Sequence, residues 1–183
     1  MKNIYDGRTL KGFNLDLHKG EILGIGGLSE CGMHEVGRLA FGIEKPLQGS
    51  VKLADGTDVS QPYVATKHRV GYISKNRDQE SLMITATILE NIELPSLKDI
   101  TRGGLLYRKD EKALAEEQRQ LLSIKCNTVD QPVRSLSGGN KQKVVFGRWI
   151  GNKSQILILD CPTRGVDIGV KQSMYQLIYK LKQ

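Results

Sequence analysis

Leu136-Ser137-Gly138-Gly139-Asn140-Lys141-Gln142-Lys143, followed downstream by the apolar run Ile156-Leu157-Ile158-Leu159 that ends in Asp160, decides how this chain reads. Ser137 and two glycines at the start of a helical pattern leave backbone N–H groups bare, so the positive end of the helix dipole, about +0.5 charge, can face a phosphate. Ser137 is the expected N-cap of that helix, and Val145 and Trp149 fall where they turn inward. A buried strand ending in a carboxylate suits a magnesium ligand. Together the two stretches point to nucleotide chemistry.

Working outward, Phe13, Leu15 and Leu17 alternate with Asn14, Asp16 and His18 and predict a half-exposed strand. Glu21-Ile22-Leu23-Gly24-Ile25 reads as a buried strand. It runs into Gly26-Gly27-Leu28-Ser29-Glu30-Cys31-Gly32, after which Val36, Leu39 and Ala40 recur at helical spacing until Gly42. Strand, glycine loop and helix in that order let backbone amides wrap a phosphate. Val70–Ile73 is a further short strand, Thr87–Leu94 a brief helix stopped by Pro95, and Lys109–Ser123 an amphipathic helix with Leu114, Leu121 and Leu122 on one side. Thr101–Gly104 and Asn127–Arg134 read as loops, and Met174, Leu177, Ile178 and Leu181 line a last helix. The alternation predicts an α/β fold with a mainly parallel sheet. One domain is expected, in which residues 1–82 and 142–183 form a core lobe and 83–141 a helical subdomain that ends at the Ser137 tip.

The 183 residues suffice for one domain with a real core. Lys and Arg number 27 against 20 Asp and Glu, a net charge of +7, but the positives are interspersed with acids, as in Arg108-Lys109-Asp110-Glu111-Lys112, and no basic run is interleaved with aromatics. A solvated surface is the plain reading, and no nucleic-acid partner is expected. Cys31, Cys126 and Cys161 have neither zinc-finger nor disulfide spacing, so neutral, reduced thiols are expected. No apolar run approaches the ~20 residues that span a bilayer, and MKNIYDGRTL does not read as a signal peptide. The expected location is the cytosol.

LSGGNKQK (136–143) and ILILDCPTRGVD (156–167) resemble the signature and Walker B segments of ATP-binding cassette proteins, in the form found in carbohydrate importers. The resemblance is to the second cassette of a tandem ATPase subunit. It implies a P-loop NTPase-type sheet with a helical insert, here trimmed at both ends because little room remains for a first strand before Tyr5 or a strand after the last helix. It also implies ATP and Mg2+ as cofactors and import of a monosaccharide or similar small solute. The implied partners are a second cassette fused in the full-length chain, membrane permease subunits and a periplasmic or extracellular solute-binding protein. The chain would then be peripheral on the inner face of the cell membrane.

Residue by residue, the resemblance assigns the phosphate loop to Gly27, Leu28, Ser29, Glu30, Cys31, Gly32, Met33 and His34. Met33 occupies the lysine position and His34 the magnesium-binding hydroxyl position. Asp160 is the implied metal ligand. Cys161 stands where the glutamate that polarises water is expected, and a mostly neutral thiol is a poor base. Lys75 falls at the Q-loop position, Tyr5 at the adenine-stacking position and Asp167 in the D-loop, with an N-cap as its simpler role. The switch histidine is expected beyond Gln183, so His18, His34 and His68 are not assigned to it. Cys31 and Cys161 are expected to approach each other across the pocket.

Cassettes pair head to tail, so Ser137, Gly138, Gly139 and Asn140 are expected to cap ATP held by a partner, while this chain's own site is slow or inactive. The alternatives are a soluble cassette ATPase not linked to transport and a catalytically inert dimerisation module.

Overall fold

The computed structural model describes residues 1–182, and its first element is a strand, β1 (Lys2–Tyr5), so the expected lack of room before Tyr5 is corrected. β1 pairs antiparallel with β2 (Lys11–Phe13) and, after helix α1 (Met33–Phe41), with β3 (Gln48–Ser50), in the order β2-β1-β3. α2 (Pro62–Lys67) leads into β4 (Val70–Ile73), all four of whose residues are buried. α3 (Ile88–Glu93) and α4 (Leu97–Ile100) flank the short turn holding Pro95, and a small hairpin follows, β5 (Thr101–Arg102) with β6 (Leu105–Leu106). α5 (Arg108–Leu121), α6 (Gly138–Gly151), β7 (Ile156–Leu159) and α7 (Ile168–Leu181) complete the order.

β4 and β7 form a parallel ladder from Val70↔Ile156 to Ile73↔Leu159, joined by the helices between them. The α/β architecture with a parallel sheet therefore stands, with a separate antiparallel sheet added. Three aromatic rings lock the helices to the ladder. Phe41 stacks on Tyr72 at 5.5 Å and meets Trp149 edge-on at 5.7 Å, and the Trp149 indole N–H donates to the Tyr72 carbonyl at 2.8 Å. Gly71 makes room for that indole, since a Cβ there would lie 2.8 Å from the ring.

α3, α5 and α6 pack together as the helical part, through Ile88, Leu89, Ile92, Ala115, Val144 and Val145, all with no exposed surface. Thr87 starts α3 with a reciprocal cap: its hydroxyl accepts from the Glu90 N–H at 3.1 Å and Glu90 accepts from the Thr87 N–H at 2.7 Å. Arg148, on α6, is buried and donates to the Asn91 carbonyl, the Asn91 side chain and the Ser81 carbonyl. Burial pushes its guanidinium down to about 10.

Several expected elements differ. Residues 14–17 continue β2 in sequence without joining a ladder, and Glu21–Ile25 joins no ladder either, with Ile22, Leu23 and Ile25 between 43 and 51% exposed. An apolar run becomes a buried strand only where it joins a sheet whose faces other elements cover, and among the described residues β7 pairs with β4 alone. For the same reason Ile156–Leu159 is half-buried. Thr101–Gly104 closes a hairpin, with Gly103 and Gly104 both at positive φ, where a loop was expected. Leu121 and Leu181 face solvent; Ala115, Gln118 and Leu122 bury the inner side of α5 and its end.

Glu93, at the end of α3, is buried beside Glu111, with one carboxylate oxygen unpartnered. Burial and the neighbouring carboxylate push it from the ordinary 4.5 up to about 7. The folded state therefore holds a proton that the unfolded chain releases, so this contribution to stability is present below about pH 4.5 and is lost as pH rises through about 7. Glu93→Gln is expected to flatten that slope and raise the urea midpoint at pH 8, measured by urea unfolding between pH 5 and 8.

Candidate functional site

Gly37 lies one turn beyond His34 on α1 and lets the helix close on the β4–β7 ladder: a Cβ there would stand 3.3 Å from both Ile158 and Tyr72. That approach carries His34 to the end of β7, with Nδ1 2.7 Å from Asp160 Oδ1. An ionised carboxylate can only accept, so Nδ1 carries the proton and donates. The Tyr72 hydroxyl reaches the other oxygen, Oδ2, at 3.4 Å, and burial together with the Asp160 charge raises the phenol. Asp160 is thus engaged on both oxygens with a side chain only 9% exposed. Cys161 follows at φ 50, in the left-handed region that non-glycine residues seldom adopt. Its thiol is exposed, and partial desolvation and the Asp160 carboxylate push it up.

The glycine loop that precedes α1 is exposed, and Cys31 folds back so that its sulfur contacts the space a Cβ on Gly27 would need. Gly32 caps α1 at φ 93, where a Cβ would lie 2.6 Å from Thr9 Oγ1. The turn holding Thr9 is drawn tight by Asp6, which accepts from the N–H groups of Arg8, Thr9 and Leu10, each at 2.9 Å. Tyr5 immediately precedes this turn and is 36% exposed.

A second group of residues gathers at the start of α6. Ser137 holds the N-cap position and is exposed, but its hydroxyl accepts from the Asn140 amide at 3.0 Å and makes no cap bond to the helix. Asn140 in turn accepts from the Lys125 N–H at 2.9 Å. Gly138 and Gly139 are pressed against the segment that follows β7. A Cβ on Gly139 would stand 2.9 Å from Val170, and one on Gly138 would stand 2.8 Å from Arg77 and 3.2 Å from the Gly165 carbonyl. Arg77 is the clamp: it donates to the carbonyls of Arg164 at 3.0 Å and Gly165 at 3.3 Å, and to Gln142 at 3.3 Å. Lys141 pairs with Asp78 at 3.0 Å beside it.

The ABC transporter family matches residues 10–164, most of the chain. The chain belongs to that family. It is 36% identical over 185 residues to the ribose import ATP-binding protein RbsA of Bacillus cereus, covering all of this chain and 37% of that protein. It is 40% identical over 186 residues to RbsA of Lacticaseibacillus paracasei, covering 99% of this chain and 36% of that one. The chain thus spans a little over a third of the length of these curated relatives. Among solved structures it resembles the dimeric post-hydrolysis state of the ATP-binding cassette MJ0796 bound to ADP and Pi, with a TM-score of 0.83 at 26% identity, over the whole chain and 82% of that cassette.

In this ABC family member His34, Asp160 and Cys161 come together, with Gly27, Leu28, Ser29, Glu30, Cys31, Gly32 and Met33 in the loop leading to them and Lys75 close enough to Cys161 to favour its thiolate. Ser137–Asn140 and the 164–170 segment form the other group. Asp167 N-caps α7 through its backbone carbonyl, which accepts from Lys171 at 2.9 Å, while its side chain makes no cap bond. Cys161 is exposed rather than a small buried hydrophobe, and all three cysteines are free. Tyr72, Gly37 and Arg77 are functional neighbours that sequence reasoning missed. A tyrosine within an apolar strand, a glycine at midhelix and an arginine in a polar turn each carry no pattern until their partners are known.

Of the side chains around Asp160, the donors beside it are not the oxygen ligands that magnesium, the cation the family implies, prefers. Magnesium takes oxygen ligands in near-ideal octahedral geometry. Here Asp160 alone offers oxygen, and its companions are an imidazole and a thiol.

Packing around the glycines is directly testable. Gly139→Ala drives a methyl group into Val170 and is expected to cost about 1–3 kcal/mol, read as a lowered urea midpoint. Gly169→Ala, whose added methyl meets nothing within 4 Å, is expected to leave the midpoint no lower than in the parent.

Proposed function

We propose that this chain is the nucleotide-binding unit of an importer for a monosaccharide or similar small solute, resembling the second, degenerate cassette of a tandem ATPase subunit. It couples ATP binding and hydrolysis to transport by offering its signature to a neighbour. Ser137, Gly138, Gly139 and Asn140 cap ATP held on a partner cassette's phosphate loop, and Asp167 lies along the seam. The site built on Gly27–His34 binds nucleotide and turns it over slowly or not at all. Met33 supplies no cation for the terminal phosphates, and Cys161 replaces a carboxylate base. Loss of such a base removes about 10²- to 10⁴-fold in rate.

The observation that carries this reading is the contrast between two groups of residues. The Ser137 tip is exposed at the start of a 14-residue helix and braced by Arg77, whereas at the end of β7 both carboxylate oxygens of Asp160 are already engaged, by His34 and Tyr72. The sugar class is taken from the relatives, whose names specify ribose. The partners in this reading are a second cassette fused in the full-length protein, membrane permease subunits and an external solute-binding protein, with the chain on the cytoplasmic face of the membrane. No helix among the described residues is long and apolar enough to cross a membrane. Residues 83–141 act as the helical subdomain that ends in the signature, and 1–82 with 142–183 act as the nucleotide-binding lobe.

ATP turnover, measured for this chain alone and mixed with a cassette bearing an intact phosphate-loop lysine and catalytic glutamate, tests the reading. The chain alone is expected to fall at least about 10²-fold below the complete cassette. The mixture is expected to be stimulated, and Ser137→Arg to abolish the stimulation. Turnover by the chain alone overturns the inert site, and absent stimulation favours the dimerisation module. Salt-sensitive nucleic-acid binding would favour a soluble ATPase.

A further inference from the structure

His34 from the first turn of α1 and Asp160 and Cys161 from the end of β7 bring one nitrogen, one oxygen and one sulfur ligand atom within 4.8 Å of one another. This is a mixed borderline and soft donor set. Imidazole, carboxylate and thiolate are the ligands of zinc and its neighbours in the transition series, whose affinity for such sites far exceeds that of magnesium. We propose that His34, Asp160 and Cys161 form a three-ligand site for a divalent transition cation, zinc in the first place. The proposal goes beyond the signature role of Ser137 and does not require it.

The geometry is close to what such an ion needs. Tetrahedral zinc holds nitrogen, oxygen and sulfur ligand atoms about 3.3–3.6 Å apart. The His34–Asp160 pair, now sharing a proton at 2.7 Å, must open by less than an ångström as the cation replaces that proton, and the exposed Cys161 side chain is free to turn inward. Tyr72 holds the far oxygen of Asp160 from within the core, the outer hydrogen bond that orients a carboxylate ligand. The His34 side chain is 25% exposed and Cys161 is exposed, so a fourth position opens to solvent, where water or a small anion completes the tetrahedron. The two departures from the magnesium pattern, histidine for a hydroxyl and cysteine for a carboxylate, thus point to the same class of cation.

Cobalt titration of the nucleotide-free 183-residue chain tests this, because thiolate-bound cobalt absorbs in the near ultraviolet and tetrahedral cobalt absorbs strongly in the visible. Both bands are expected, displaced by stoichiometric zinc and unaffected by a large excess of magnesium. Cys161→Ser is expected to remove the near-ultraviolet band, and His34→Gln, which removes a ligand, to weaken cobalt binding by more than the roughly 10- to 100-fold that loss of an outer-shell partner costs, with circular dichroism unchanged. Cys31→Ser and Cys126→Ser are expected to keep the parent spectrum. A parent chain without these bands, a near-ultraviolet band that survives Cys161→Ser, cobalt affinity unchanged in His34→Gln, or displacement by magnesium overturns the proposal. Neither nucleotide nor a partner cassette enters the measurement, so its failure and failure of the signature role are read separately.

Discussion

Four paired residues of parallel ladder between β4 and β7 set the positions from which the rest of the molecule follows. The Asp160 N–H continues that ladder by donating to the Ile73 carbonyl at 2.9 Å, so the first residue beyond β7 is held at a fixed height above the sheet. Tyr72, one residue back on the partner strand, then reaches its carboxylate from below, and α1 brings His34 from the side. The ladder is secured from its other face by Trp149, whose indole hydrogen bond to the Tyr72 carbonyl joins α6 to the strand from which the tyrosine projects. A slip of one residue would turn every side chain of β7 to the opposite face.

The buried Arg148 and the largely covered Arg77 tie the two groups of functional residues to one framework. Arg148 gathers Ser81 and Asn91 onto α6, which couples the helical part to the turn after β4. Removing one partner from such a buried cationic network leaves uncompensated charge or carbonyl groups, the costly case for a buried ion. Arg77 leaves that same turn and grips the loop after β7, against which the signature glycines pack, Gly138 on Gly165 and Gly139 on Val170. A single short segment, 74–82, therefore touches the loop after β7, the signature glycines and the helical part. Its tight geometry includes a five-residue wide turn at Arg77–Ser81, a form that recurs at functional sites.

Much of the architecture is legible in local pattern. The apolar repeat of α6, the helix beginning at Thr87, the helix stop at Gly42, the short strand Val70–Ile73 and the strand ending at Asp160 all depend on neighbours in sequence, and each appears where the pattern points. Glu21–Ile25 misleads because an apolar run announces a preference for cover without supplying the sheet and helices that give it. Leu121 misleads because side chains near a helix end escape the period that governs its middle. The 101–106 hairpin hides in a Gly-Gly turn too short to advertise its strands.

The sequence by itself determined the type of each main element, the glycine loop, the signature stretch and the substitutions at positions 33, 34 and 161, because these are properties of residue identity and spacing. Only the tertiary structure decided that His34, Asp160 and Cys161 meet, that Tyr72 stands beneath them and that Arg77 braces the glycines of α6. Those contacts join residues up to 126 positions apart, and their distances are set by strand register and by how closely a glycine lets one backbone approach another.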